Sequence, residues 1–290
     1  MSEKIGFIGI GAMGSAIASR LVEPFDLYVN DRNRVAADEL VAAGATFTDA
    51  AEIARTCRVV FLCLPAPTHV DQLLFGDEGI AKDLAVGTVV VDITTGTPTA
   101  DYQVVAALGE RGVKFLDSPI GGGVRRAREG TATLMVGGDD DVFAEVVEVL
   151  EAVTPDVHHV GPVGAGHAMK LVNNLLNSCN RFAALEAIRL GQACGIEQST
   201  VVAVLNSSTG RNYTTEYTFP TLLSEPDYKL QGFTLDLMRK DVHLANELAA
   251  SMNHATPIGH LVEEMTETAI ERFGGDADQS QLMAEWYPRE

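Results

Sequence analysis

From Lys4 to Val160, short runs of β-branched and aliphatic residues alternate with helical stretches, and few folds accept that order. Strands are expected from Lys4, at Leu27–Asp31, Val59–Leu64, Thr88–Asp92, Val113–Leu116, Thr133–Gly137 and Val157–Val160. Helices are expected up to about Val22, and at Asp49–Arg55, Val70–Phe75, Thr99–Arg111 and Asp139–Val153. Strands alternating with helices build a mostly parallel, doubly wound α/β sheet. Ligands of such sheets sit beyond the carboxyl ends of the strands, which places Leu64, Pro65 and Thr95 beside one.

The first strand runs into Gly9, Gly11 and Gly14, a G-x-G-x-x-G turn that opens a helix. Glycine at the first position makes the tight turn, at the second lets backbone approach a pyrophosphate, and at the third packs helix on strand. Ile10, Ala12 and Met13 share the turn, and helix-start amides face the phosphates. Taken alone the pattern is weak; a glycine turn with no ligand is the competing reading. The second strand ends in Asp31, where an acid that accepts ribose hydroxyls should fall. Such a carboxylate repels a 2′-phosphate and favours NAD, although Arg32 follows and leaves NADP open.

After the strand near Leu116 comes Asp117-Ser-Pro-Ile-Gly-Gly-Gly123, followed by Arg125, Arg126 and Arg128. Gly121, Gly122 and Gly123 can present successive N–H groups to an anion. The arginines read as a loop with ordinary salt bridges or as added anion contacts.

Glycines from Gly161 to Gly166 form a hinge, and a long helical pattern then runs to about Ala193. Val172, Leu176, Ala187 and Leu190 are among the apolar residues that predict burial over most of its circumference. Lys170, Asn173, Asn174, Asn177 and Arg181 form a polar stripe facing a cavity or solvent, with Lys170 and Asn174 one turn apart. A cation near a helix start is disfavoured by the dipole, and partial burial lowers a lysine pKa further. Lys170 is thus a candidate proton carrier; the competing reading is a solvated lysine whose stem covers apolar surface. Beyond it, helices are expected at Gln198–Leu205, Leu235–Met252 and Ile258–Phe273, with loops at Asn206–Asn212, Glu225–Gly232 and Gly274–Gln279. Lys240 lies near a helix start and either reaches the interdomain cleft or pairs with Asp236. Two domains follow: 1–162 binds a dinucleotide, and 163–290 is all-helical, joined to it by the long helix.

A net charge of −19 argues against nucleic acid and anionic membranes as partners. No transmembrane-length apolar run or signal peptide is visible, so a soluble, cytoplasmic protein is expected. Cys57, Cys63, Cys179 and Cys194 form no C-x-x-C pair and read as free core thiols. The 7 histidines show no ligand spacing, so no metal site is assigned.

Four segments in order, Gly6–Gly14, Asp117–Gly123, Gly164–Asn174 and Asp236–Asp241, resemble the β-hydroxyacid dehydrogenase family over nearly the whole chain. That family includes 3-hydroxyisobutyrate dehydrogenases and tartronate semialdehyde reductases. The resemblance implies an NAD(P)-dependent oxidoreductase interconverting a small β-hydroxy acid and its semialdehyde or keto acid. It implies a helical domain like that of 6-phosphogluconate dehydrogenase, and a homodimer or homotetramer. By the same resemblance, Lys170 is the catalytic lysine, Asn174 holds substrate, and the Gly121–Gly123 loop meets the substrate carboxylate. Thr95 and Lys240 then lie beside the nicotinamide. Gly121 departs from the family's usual serine; the lost hydroxyl opens space for a larger or doubly charged substrate, held by Arg125 or Arg126. An imine reductase and a non-catalytic NAD sensor are the alternatives.

Overall fold

The computed structural model describes residues 3–224 and 232–285. Two compact units divide the chain, Met1–Lys170 and Leu171–Glu290.

The first unit holds β1 (Lys4–Ile8), α1 (Ala12–Ala18), β2 (Asp26–Asn30), α2 (Asp38–Ala42), β3 (Thr46–Phe47), α3 (Ala50–Thr56), β4 (Val59–Leu62) and α4 (Pro67–Phe75). It continues with β5 (Val89–Asp92), α5 (Pro98–Gly109), β6 (Lys114–Asp117), β7 (Ile120–Gly121), α6 (Gly123–Glu129), β8 (Thr133–Gly137), α7 (Asp140–Val153) and β9 (Val157–Gly161). Along the sheet the order is β3-β2-β1-β4-β5-β6-β8-β7, and β9 pairs with β8. From β3 to β6 every pairing is parallel, as the alternation predicts. β8 runs antiparallel to β6 and β7. The glycine triplet carries the chain from β7 directly into α6, which leads to β8.

Strands β4 and β5 are buried at every residue because helices cover both faces of the sheet. One core gathers Phe7, Val59, Phe61 and Val91; the other takes the alternate residues Ile8, Val60, Leu62 and Val90. Side chains start two of the helices: Asp49 accepts from Glu52 N for α3, and Thr97 with Pro98 begins α5. Two predicted features differ. The arginine-rich loop is the helix α6, and the first helix ends at Ala18, with turn residues in place of helix up to Val22.

The second unit is helical among the described residues. α8 (Ala165–Ala193) begins in the first unit and continues unbroken into the second. There follow α9 (Gln198–Asn206), a π-helical turn at Thr214–Thr218, α10 (Phe219–Ser224), α11 (Leu235–Ser251), α12 (Pro257–Phe273) and α13 (Gln279–Glu285). Except for Gly232, the predicted loop at Glu225–Gly232 lies outside the described residues. Phe182, Leu235, Met238, Val242 and Val262 form the main core of this unit.

Burial along α8 departs from expectation in two ways. Val172, Leu176 and Leu190 are 53, 60 and 68% exposed, so one apolar stripe of this helix is uncovered. Conversely, Arg181 leaves the polar stripe for the interior, at 3% exposed. Burial pulls its pKa down to about 10, against the opposing pull of Asp278 and Tyr213. Asp278 in turn accepts from the amides of Gly232, Phe233 and Ser280. Cys194 is exposed and corrects its expected place in a core; all four cysteines are free. No helix among the described residues is long and apolar enough to cross a membrane.

Candidate active site

A pocket of about 940 Å³ opens at the carboxyl ends of β1, β2 and β4. It takes in every predicted cofactor residue except Ile10, Thr95 and Lys240. Gly9 has φ +98°, and a Cβ there would lie 2.3 Å from the Cys63 carbonyl oxygen. At Gly14 a Cβ would lie 1.9 Å from the Gly9 carbonyl oxygen, so α1 packs directly on the turn. Nothing approaches the bare face of Gly11, which fits backbone left open to a pyrophosphate. Ile10 sits beneath this turn, its N–H donating to Asp31 Oδ2 at 2.6 Å. Asp31 Oδ1 accepts from Asn33 N at 2.8 Å, so both carboxylate oxygens are oriented by backbone. Asp31, Asp77 and Glu78 line the pocket, with Arg32 as its cation.

At the end of β5 the buried Thr94 joins two strands. Its hydroxyl accepts from Leu64 N at 3.0 Å, and its N–H donates to Asp92 Oδ1 at 2.9 Å. Thr95 follows, half-buried.

The third feature surrounds the start of α8. Asp117, at the end of β6, is fully buried, and its two oxygens accept from Gly164 N at 2.7 Å and His167 N at 2.8 Å. A strand carboxylate thus caps a helix directly preceded by Gly164, which has no side chain to cap it, at the end where the dipole favours negative charge. A Cβ at Gly166 would lie 2.3 Å from the Met135 carbonyl oxygen, so the first turn rests on the sheet backbone itself. His167 is buried between Asp101 of α5, whose Oδ2 lies 2.7 Å from Nδ1, and the Thr94 carbonyl, which faces Nε2. A carbonyl can only accept, so Nε2 carries a proton, and Nδ1 donates to the carboxylate.

Burial would drive this imidazole neutral, but Asp101, Asp92 and Asp117 outweigh it and push its pKa up to about 9. Burial raises Asp92 to about 6. Asp92, Asp101 and His167 have metal-ligand chemistry and lie close together, a grouping that spacing in the sequence did not reveal. Both ring nitrogens are already engaged, so the trio reads as an ion-pair network. The His167 proton is bound in the folded protein and lost from the unfolded chain above about 6.5. Its stabilisation is therefore complete below pH 6.5 and disappears as pH rises through about 9. The melting temperature should fall by several degrees across that window, and His167→Leu should flatten the fall; equal slopes in the two proteins would refute the assignment.

Lys170, one turn further along α8, is half-buried, and its Nζ donates to the Ile120 carbonyl at 2.7 Å. Ile120 is the residue before the glycine triplet. Thus the structure brings Lys170 to the triplet. Gly121 is buried in β7, while Gly122 and Gly123 are exposed where α6 begins. The space expected at Gly121 is taken: a Cβ there would lie 3.1 Å from Met135 Cε. Arg126 folds back over Gly122 and donates to the Thr131 carbonyl. Arg125 is 86% exposed and pairs with Glu129 one turn on, an arrangement of small energetic weight.

In the second unit, Asn174 Nδ2 donates to Asp241 Oδ2 at 2.7 Å, and Asn173 Nδ2 donates to Asn174 Oδ1 at 3.1 Å. Lys240 pairs with Asp241 at 3.4 Å rather than with Asp236. Asp241 is buried and orients the asparagine. Sequence reasoning missed Asp92, Asp101, Asp117, His167 and Asp241. Local signals existed for three of them: His167 stands at i, i+3 from Lys170, Asp241 adjoins Lys240, and Asp117 opens the glycine-triplet segment.

Fold and pocket define a dinucleotide-binding α/β protein with a helical second unit. Residues 4–161 match a family profile described as the NAD-binding domain of 6-phosphogluconate dehydrogenase. Residues 164–286 match one described as NAD-binding of NADP-dependent 3-hydroxyisobutyrate dehydrogenase. The chain is 35% identical to an NAD-dependent L-serine dehydrogenase of Pseudomonas aeruginosa, over 96% of either protein. It is 33% identical to a 2-(hydroxymethyl)glutarate dehydrogenase of Eubacterium barkeri, over 98% of this chain and 95% of that one. A solved 3-hydroxyisobutyrate dehydrogenase of Mycobacterium tuberculosis, with L-serine, superposes with TM-score 0.87 at 26% identity, over 99% of this chain and 100% of that one. Imine reductases share the fold at a more distant 19% identity. The chain belongs to the β-hydroxyacid dehydrogenase family and is an NAD(P)-dependent dehydrogenase.

Proposed function

We propose that this enzyme oxidises, reversibly, a primary alcohol on the carbon β to a carboxylate, with Lys170 moving the proton. L-serine, 2-(hydroxymethyl)glutarate and 3-hydroxyisobutyrate, the compounds named for its relatives, share that unit. The observation that carries the role of Lys170 is its half-buried amine, 2.7 Å from the Ile120 carbonyl and so beside the glycine triplet. A bound nicotinamide supplies the hydride acceptor. The Lys170 amine takes the hydroxyl proton as the carbonyl forms, and returns it in the reverse direction. Asn174, held by Asp241, orients the reacting oxygen. Amides of Gly122 and Gly123 receive the carboxylate, and Lys240 and Thr95 serve the nicotinamide end. Arg126, tied over Gly122, supports that loop more directly than Arg125 does.

A panel of β-hydroxy acids, followed at the reduced-nicotinamide absorbance, tests the reading. Turnover of one or more primary alcohols is expected. Cofactor binding without turnover across the panel would favour an NAD sensor instead.

We assign NAD as the preferred cofactor. Asp31, Asp77 and Glu78 surround the pocket, and a 2′-phosphate there would add two negative charges beside three. kcat/KM should be at least about tenfold higher with NAD, and Asp31→Ser should narrow the gap chiefly through KM for NADP. A wild-type preference for NADP would remove the assignment.

The uncovered stripe of α8 supports self-association as a homodimer or homotetramer, for contiguous apolar surface marks contact sites. Leu176→Glu should shift sedimentation toward monomer; an unchanged oligomer would place the contact elsewhere.

A further inference from the structure

We infer that His167 is a positioning residue of the reaction: its ring clamps the Thr94–Gly96 loop to the first turn of α8 and thereby sets where Lys170 stands. This rests on the proposed role of Lys170.

Four contacts converge on the clamp. The ring donates to Asp101 of α5 on one side and to the Thr94 carbonyl on the other. A Cβ at Gly96 would lie 2.8 Å from the ring, so loop and ring are in direct packing contact. The His167 backbone N–H is held by Asp117, which also holds Gly164. Lys170 follows His167 by three residues on a helix whose first turn cannot lift off the sheet without breaking these contacts.

The same ring therefore touches the segment that contains Thr95 and the turn that precedes the proton carrier. Both reacting partners, the nicotinamide end and the substrate hydroxyl, depend on those two elements in the proposed reaction. A misplacement of about 1 Å between reacting groups can lower a rate about a hundredfold. The clamp is also charged. Asp101 from α5, Asp92 from β5 and Asp117 from β6 are the carboxylates that face the ring, and together they keep it protonated at neutral pH. A doubly donating ring is what joins α5 to the loop; once deprotonated, it gives up one of the two bonds.

The test uses the full-length enzyme. In the protein without ligands, nitrogen-resolved spectra should show both His167 ring N–H groups at pH 7.5. His167→Leu should lower kcat about a hundredfold while the NAD Kd changes by less than about threefold. The isotope effect with substrate deuterated at the carbinol carbon should rise, because the chemical step becomes limiting. His167→Gln, whose amide can donate to both Asp101 and Thr94, should regain most of the rate. Should His167→Leu fail to fold, Asp101→Asn serves: it keeps the shape and one acceptor, and the pH above which kcat falls should move down by at least about one unit.

Normal kcat and isotope effect in folded His167→Leu, or an unmoved pH profile in Asp101→Asn, overturn the clamp. So does a loss of kcat that glutamine does not restore and that parallels loss of NAD binding. Failure of the underlying reaction is separable: Lys170→Ala would then keep its turnover. An inactive Lys170→Ala beside a fully active His167→Leu removes the clamp alone.

Discussion

Lys170→Ala should lower kcat by about a thousandfold, with the NAD Kd nearly unchanged. A positioned acid or base typically contributes about a hundred- to ten-thousandfold. The amine is held at the Ile120 carbonyl beside the glycine triplet, whereas the dinucleotide pocket at Gly9–Gly14 does not include it. Loss should therefore fall on the chemical step and spare cofactor binding. Stopped-flow turnover and fluorescence titration with NADH separate the two. Turnover within tenfold of wild type would show that another group moves the proton. Lys170→Arg should rescue little, since guanidinium stays protonated and cannot act as a base at working pH.

The largest stability effect is expected at Asp117. Its carboxylate is fully buried, accepts two backbone N–H groups at 2.7 and 2.8 Å, and faces the charged His167 ring. Asp117→Ala leaves two buried donors unpaired and withdraws one of the carboxylates around a buried cation. Removing one partner of such an arrangement costs about 3–5 kcal/mol. At about 2–4 °C per kcal/mol for a unit of this size, the melting temperature should fall by about 6–20 °C. Asp117→Asn should recover only part, because its amide presents a donor to one of two donors. A shift below about 2 °C in Asp117→Ala, read by calorimetry, would mean that the capping bonds contribute little.

Neither Asp117 nor His167 was assigned a role from sequence, although both lie inside motifs that were singled out. The reason is range. Asp117 meets Gly164 and His167 across about fifty residues, and His167 meets Thr94 and Asp101 across more than sixty. Periodicity and turn chemistry report neighbours within a few residues, so such pairs leave no local trace. Asp241 is similar: its closeness to Lys240 was legible, its hold on Asn174 was not. The arginine segment shows the opposite error. Three glycines ahead of Arg125 read as a loop, but Gly122 turns the chain out of β7 and α6 begins at Gly123.

What the amino-acid order determined by itself was the class of fold and the kind of cofactor. Alternating buried strands and helices admit a doubly wound sheet, and glycines at 9, 11 and 14 with an acid at 31 suit a dinucleotide. These depend on local patterns of burial and on backbone freedom, which a sequence records directly. Tertiary structure alone decided which side chains stand charged in the interior. It buried Arg181 by Asp278 and joined His167 to its carboxylates, yet left Val172 and Leu176 uncovered. The cost of burying a charge depends on the partner that meets it, and that partner is supplied by the folded chain rather than by neighbours in the sequence.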